Sequence, residues 1–137
     1  MLTTEEHCIM DWLTSAYAGI ARAIGWMSGF AIIILSVVPA IDRPVTGAGQ
    51  SLEHVTAFAV LGGAFAIGYR LSLTRLMLLA IFFCAVIELL QVPLPTRHAR
   101  VSDFLVDSAT ICFAILFVFV ARQIRGTRLP STARLRK

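Results

Sequence analysis

Residues 75–92 read "RLMLLAIFFCAVIELLQV". After the arginine that opens it, the run stays apolar to Val92, broken only by Glu88 and Gln91. A helix rises about 1.5 Å per residue, so a segment of this length spans roughly 27 Å, close to the ~30 Å hydrocarbon core of a bilayer. Three further runs have the same character: about 23–41 ("AIGWMSGFAIIILSVVPAI"), 55–70 ("VTAFAVLGGAFAIGYR") and 104–121 ("FLVDSATICFAILFVFVA"). The first carries no charge, the second is short and ends on Arg70, and the last carries Asp107 near its start. Short charged segments separate them, which is the pattern of a polytopic membrane protein.

Composition agrees. The 137 residues are 58% apolar and 15% charged, with a mean hydropathy of +0.81. That is more apolar and less charged than an ordinary soluble domain. One domain is expected at this length. The reading is all-α: a four-transmembrane-helix bundle over 23–121, an N-terminal cytoplasmic or interfacial segment over 1–22, and a basic cytoplasmic tail over 122–137.

The start, "MLTTEEHCIMDW", is acidic where a secretory signal would be basic, so the first span is expected to remain as an anchor. Ile9, Trp12, Leu13, Tyr17 and Ile20 recur at helical spacing, and Thr3 with Glu6 fits a capping box. A separate interfacial helix and a helical extension of the first span both fit this pattern. In the second span, Ala59 and Gly63, Gly62 and Ala66, and Ala64 and Gly68 are each four apart, a spacing that lets helices approach closely.

The net charge of +4 lies mostly in the tail "RQIRGTRLPSTARLRK". Beside a membrane span, such a tail marks the cytoplasmic side and meets anionic headgroups. It is not read as a nucleic-acid site. With both termini inside, the inner loops and ends carry nine basic residues and the outer loops three, Arg43, Arg97 and Arg100. The basic excess inside supports that orientation. Cys8, Cys84 and Cys112 form no CxxC pair, so no disulfide framework or zinc motif is read.

This topology gathers polar residues at the outer end. His54 opens the second span. Glu88 and Gln91 are three apart near the end of the third, and Asp103 and Asp107 are four apart at the start of the fourth. Such pairs share a helix face. Arg97 and Arg100 lie in the intervening loop. A carboxylate facing lipid costs several kcal/mol, so these faces are expected to turn inward. His54, Glu88, Gln91, Arg97, Arg100, Asp103 and Asp107 therefore form the candidate polar cluster. A structural ion pair between the third and fourth spans is the plain alternative. A metal held by His54, Glu88, Asp103 and Asp107 is conceivable, but the spacing matches no dedicated metal motif. No cofactor is expected.

In order along the chain, "LSVVP" (35–39), "EHVTAFAVLGG" (53–63), "IELLQ" (87–91), Arg97 after a Pro turn, Asp103 and Asp107 resemble the core of the VanZ-like family of membrane proteins. The resemblance covers roughly residues 30–120. Asp107 stands where that family has asparagine, and Thr110 where it has glycine. Gln50 and Ser51 replace an Asp-Lys pair. The family's namesake is linked to low-level resistance to the glycopeptide teicoplanin. The resemblance thus implies a role in the bacterial cell envelope, at the cytoplasmic membrane.

Three functions fit. The first is a module whose arginines meet a phosphate or carboxylate of an envelope component, such as a lipid-linked glycan or peptidoglycan precursor, while its acids and Gln91 accept hydrogen bonds. The second is an enzyme on such a precursor, with Glu88 or His54 as general base and Arg97 stabilising an anion. No nucleophile or metal motif accompanies these residues, which weighs against it. The third is an assembly partner that docks another membrane protein through the small-residue face of the second span.

Overall fold

The computed structural model describes residues 4–38, 50–93 and 101–127, which form four α-helices. They are α1 (Thr4–Val37), α2 (Gln50–Gly68), α3 (Leu73–Gln91) and α4 (Val101–Thr127). Each helix carries most of one apolar run of the sequence: the run over 104–121 lies wholly inside α4, those over 55–70 and 75–92 end one or two residues past α2 and α3, and residues 39–41 of the first run lie outside the described residues.

The helix boundaries change several local readings. Residues 4–22 form no separate helix. They continue without a break into the first span, making α1 a single helix of 34 residues, about 51 Å long. No proline interrupts this stretch, and its helix-compatible residues carry the pattern through. Thr3, the expected cap, lies outside the described residues. α2 begins at Gln50, so His54 sits in its second turn rather than at its start. α4 begins at Val101, which puts Asp103 in its first turn and Asp107 in its second.

The turn from α2 to α3 is short. Ser72 caps α3: its backbone is extended (φ −65°, ψ 150°), and its side-chain oxygen accepts a hydrogen bond from the Arg75 N–H at 3.4 Å. This satisfies one of the orphan donors at the helix start.

α2 lies between α1 and α4, packed against both. α3 packs mainly on α4, touches α1 loosely and α2 least. Small residues set the close crossings. A Cβ added at Gly62 would meet the Ile111 carbonyl oxygen at 2.7 Å and Ile111 Cγ1 at 2.8 Å. Gly62 is therefore what allows α2 to rest on the α4 backbone. A Cβ at Gly68 would meet Arg22 Cγ at 2.7 Å and the Arg22 backbone nitrogen at 3.0 Å, so this glycine admits α1. Ala66 is completely buried, whereas Gly63 has nothing within 4 Å of where its Cβ would be.

The core is narrow. Phe58, Leu61, Ile111 and Ile115 fill its centre, with Leu76, Ala80, Cys84 and Ile87 from α3. Much of the apolar content faces outward instead: Met27 is 72% exposed and Phe113 71% exposed, with Phe82 and Phe117 similarly placed. Large apolar surfaces of this extent mark an interaction with membrane or protein. By length and composition, Thr14–Val37, Leu73–Gln91 and Val101–Arg125 are able to cross a membrane, and Leu52–Gly68 is a shorter apolar helix.

Candidate functional site

The end of α1, the start of α2, the end of α3 and the start of α4 come to the same end of the bundle. The central feature there is a contact between α2 and α4: His54 Nδ1 lies 3.7 Å from Asp107 Oδ2. Asp107 is 6% exposed. Phe58, one turn on from His54, stacks on the imidazole with ring centroids 6.4 Å apart. Residues four apart on a helix are surface neighbours, so α2 itself supplies the ring that backs its histidine.

Beside this pair is a cavity of about 90 Å³. Its polar lining comes from Ser36 of α1, Glu53 and His54 of α2, and Gln91 of α3; Ile32, Phe58 and Ile87 close its apolar side. Gln91 and Ser36 are both buried. The Ser36 hydroxyl donates to the Ile33 carbonyl at 2.8 Å, which leaves its oxygen able to accept. A cavity of this size has room for several waters. Its polar wall suits a hydroxyl, amide or ammonium group.

Glu88 lies one helical turn before Gln91. It is half-buried, and its Oε1 is closed off from the surface. A further turn into the bundle, Cys84 lies next to Ser108 and near Asp107. Polar atoms thus continue inward from the cavity along the α3–α4 contact.

The structure does not gather all seven residues of the expected cluster. His54 and Asp107 are in contact, and Gln91 joins His54 in the cavity wall. Asp103 stands on the exposed surface, where its Oδ1 accepts from the Ser102 hydroxyl at 3.1 Å. An acid in the first turn of a helix is favoured by the helix dipole. Asp103 and Asp107 share a face, but only the second turn of that face meets α2. Arg97 and Arg100 lie outside the described residues. Among the described residues, no group of three or more His, Cys, Asp and Glu side chains is placed to hold a metal ion.

Two residues of the cavity wall escaped the sequence reading. Glu53 enters that reading only inside "EHVTAFAVLGG", and Ser36 only inside "LSVVP". The available signal was a hydroxyl close to the end of an otherwise apolar span. At the opposite end, polar contacts also form: Trp26 Nε1 donates to the Tyr69 hydroxyl at 3.0 Å, and Arg122 Nη2 donates to the Ile67 carbonyl at 2.9 Å.

Over the described residues the protein is all-helical, with three helices long and apolar enough to cross a membrane and a fourth, shorter apolar one. No family model, curated protein or solved structure matches the chain.

Proposed function

We propose that the chain is a VanZ-like, multi-pass protein of the bacterial cytoplasmic membrane, with both termini in the cytoplasm. In this reading, its His54–Asp107 end binds a polar or anionic component of the cell envelope at the outer leaflet. The observation that carries the reading is the buried Asp107 paired with His54, beside a cavity whose wall also holds Gln91 and Ser36. An ionisable residue inside an apolar bundle is expensive to keep there, and it is by default a candidate functional residue.

The chemistry follows from the side chains. Asp107, Gln91 and Ser36 supply acceptors for hydroxyl or amide protons, and Gln91 also supplies donors. Arg97 and Arg100 fall in the link between α3 and α4, both of whose ends lie at this end of the bundle. They are the cations suited to a phosphate or carboxylate. The small cavity takes the tip of such a headgroup while the remainder stays outside. Lipid-linked glycan and peptidoglycan precursors have this chemistry, and teicoplanin tolerance is the cellular trait the family resemblance suggests.

The test is binding of a lipid-linked peptidoglycan precursor to the protein reconstituted in phospholipid nanodiscs. The reading requires saturable binding that falls at least tenfold in the Arg97→Gln/Arg100→Gln double variant. Undiminished binding in that variant removes the arginines from the site.

A second reading has its own support. The His54–Asp107 contact ties α2 to α4, and a buried pair of this kind can serve only to lock a bundle. In that case His54→Gln lowers the amount of protein in the membrane, and any loss of protection follows abundance alone.

A further inference from the structure

α1 and α3 approach each other only loosely, and the gap between them is a second cavity at the opposite half of the bundle. It measures about 350 Å³, within the range of small-molecule sites. Its floor is Leu61, Gly62, Ile111 and Ile115 of α2 and α4. Its rims, Phe30 on α1 and Leu79 on α3, are exposed and continuous with the apolar outer surface. The cavity follows α1 from Trp26 to Ile33, about 10 Å. It is therefore a lateral cleft, open to whatever surrounds the helices.

One end of the cleft is polar. Trp26 and Tyr69 close it, and the Tyr69 oxygen accepts from Trp26 Nε1. The Tyr69 hydroxyl proton is left for another acceptor. One turn before Trp26, the Arg22 guanidinium lies 5.8 Å from the Tyr69 ring centroid. Its Nε donates to the Ala18 carbonyl at 3.2 Å. The segments at this level, 14–27, 67–79 and 118–125, contain Arg22, Arg70, Arg75, Arg122 and Arg125 and no carboxylate. Asp11, the nearest acid along α1, lies about 16 Å from Arg22 by helical rise. This level of the bundle carries five arginines, the acids of α1 lying further toward its N-terminus, and an apolar slot leads inward from it.

We propose that this cleft holds an acyl chain of an anionic glycerophospholipid, whose phosphate is met by Arg22 and the Tyr69 hydroxyl. Two features select this occupant. An apolar slot that opens sideways from a membrane-spanning bundle meets hydrocarbon, and basic residues at its mouth favour an anionic over a zwitterionic headgroup. The Trp26–Tyr69 pair sits between the slot and the arginines, joining an apolar body to a polar tip as amphipathic aromatics at membrane–water interfaces do. The site rests on the chain being embedded in a membrane, but not on any ligand at the His54 end.

Native mass spectrometry of the full chain in maltoside detergent tests this with phosphatidylglycerol and phosphatidylcholine of identical chains, added in equal amounts. The expected result is retention of one lipid, with phosphatidylglycerol favoured about fivefold or more, the scale of one arginine near an anionic surface. Arg22→Gln should abolish the preference, since its stem can still pack against Gly68. Ala80→Phe, which fills the cleft, should reduce retention of both lipids. Glycerol 3-phosphate, which has the phosphate without chains, should displace neither. Equal retention of the two lipids by the unaltered protein overturns the proposal, whether or not the variants fold. A preference that survives Arg22→Gln, or displacement by glycerol 3-phosphate, overturns it as well. A chain that stays soluble and monodisperse without detergent would instead remove the membrane reading itself.

Discussion

His54 on α2 and Asp107 on α4 meet at 3.7 Å, near the starts of two helices that run from the same end of the bundle. The carboxylate is buried and the imidazole about a quarter exposed, so the pair is half open to the cavity beside it. The contact is ionic only when the imidazole is protonated. It couples the candidate site to the packing of α2 on α4, and the two roles call for separate measurements.

Removing His54 should affect stability more than neutralising its partner. His54→Ala leaves the buried Asp107 carboxylate without the imidazole, and we expect a loss of about 1–3 kcal/mol, the scale of a buried polar group deprived of its partner. Asp107→Asn keeps the shape and removes the charge, and should stay within about 1 kcal/mol of the starting protein. Thermal unfolding in detergent, arranged as a double-mutant cycle, separates the coupling from the individual losses.

Gly62 and Gly63 are adjacent yet should respond in opposite ways. Alanine at Gly62 places a Cβ 2.7 Å from a carbonyl oxygen on α4, which no rotamer change relieves. We expect Gly62→Ala to destabilise by about 1–3 kcal/mol, as overpacked sites do. Gly63→Ala meets nothing and replaces a poor helix former, so it should be neutral or stabilising by up to about 1 kcal/mol. Parallel melting curves decide this without any ligand.

At the other end, Arg122 donates to the Ile67 carbonyl, one of the acceptors left over at the end of α2. The cation also complements the negative end of the helix dipole. Because Arg122 is exposed, the expected loss in Arg122→Gln is modest, about 0.5–1 kcal/mol, and should shrink at high salt. Melting temperatures at low and high ionic strength provide the check.

Trp26→Phe removes the hydrogen bond to the Tyr69 hydroxyl while retaining an aromatic ring against Phe65. A loss of about 0.5–1.5 kcal/mol is expected, the usual worth of one such bond. Tyr69→Phe should give a similar loss and little more when combined with Trp26→Phe.

Much of the architecture was legible in the sequence, because apolar runs of membrane length separated by short charged links dictate helices and their order. The ends were less legible. Nothing in "TTEEHCIMDWLTSAYAGIARA" distinguishes a separate helix from an extension, since the absence of a break is a property of the folded backbone. The meeting of His54 and Asp107 follows from up-and-down connectivity: the second span starts, the third ends and the fourth starts at one end. Spacing alone could not tell that Asp103, on the same face as Asp107, falls beyond the reach of α2. Nor could it say which small-residue pair faces a neighbouring helix. Gly62 with Ala66 and Ala64 with Gly68 do, whereas Gly63 has nothing against it, because that choice depends on how α2 rotates against α1 and α4. The Trp26–Tyr69 and Arg122–Ile67 bonds join distant segments, and no local pattern announces them.

The most direct test of the account is the teicoplanin susceptibility of a glycopeptide-sensitive host expressing the unaltered protein or His54→Gln, with membrane abundance measured alongside. The account predicts that the unaltered protein raises the inhibitory concentration and that His54→Gln, at equal abundance, does not. Equal susceptibility of host, unaltered protein and variant, with both proteins abundant in the membrane, would contradict it.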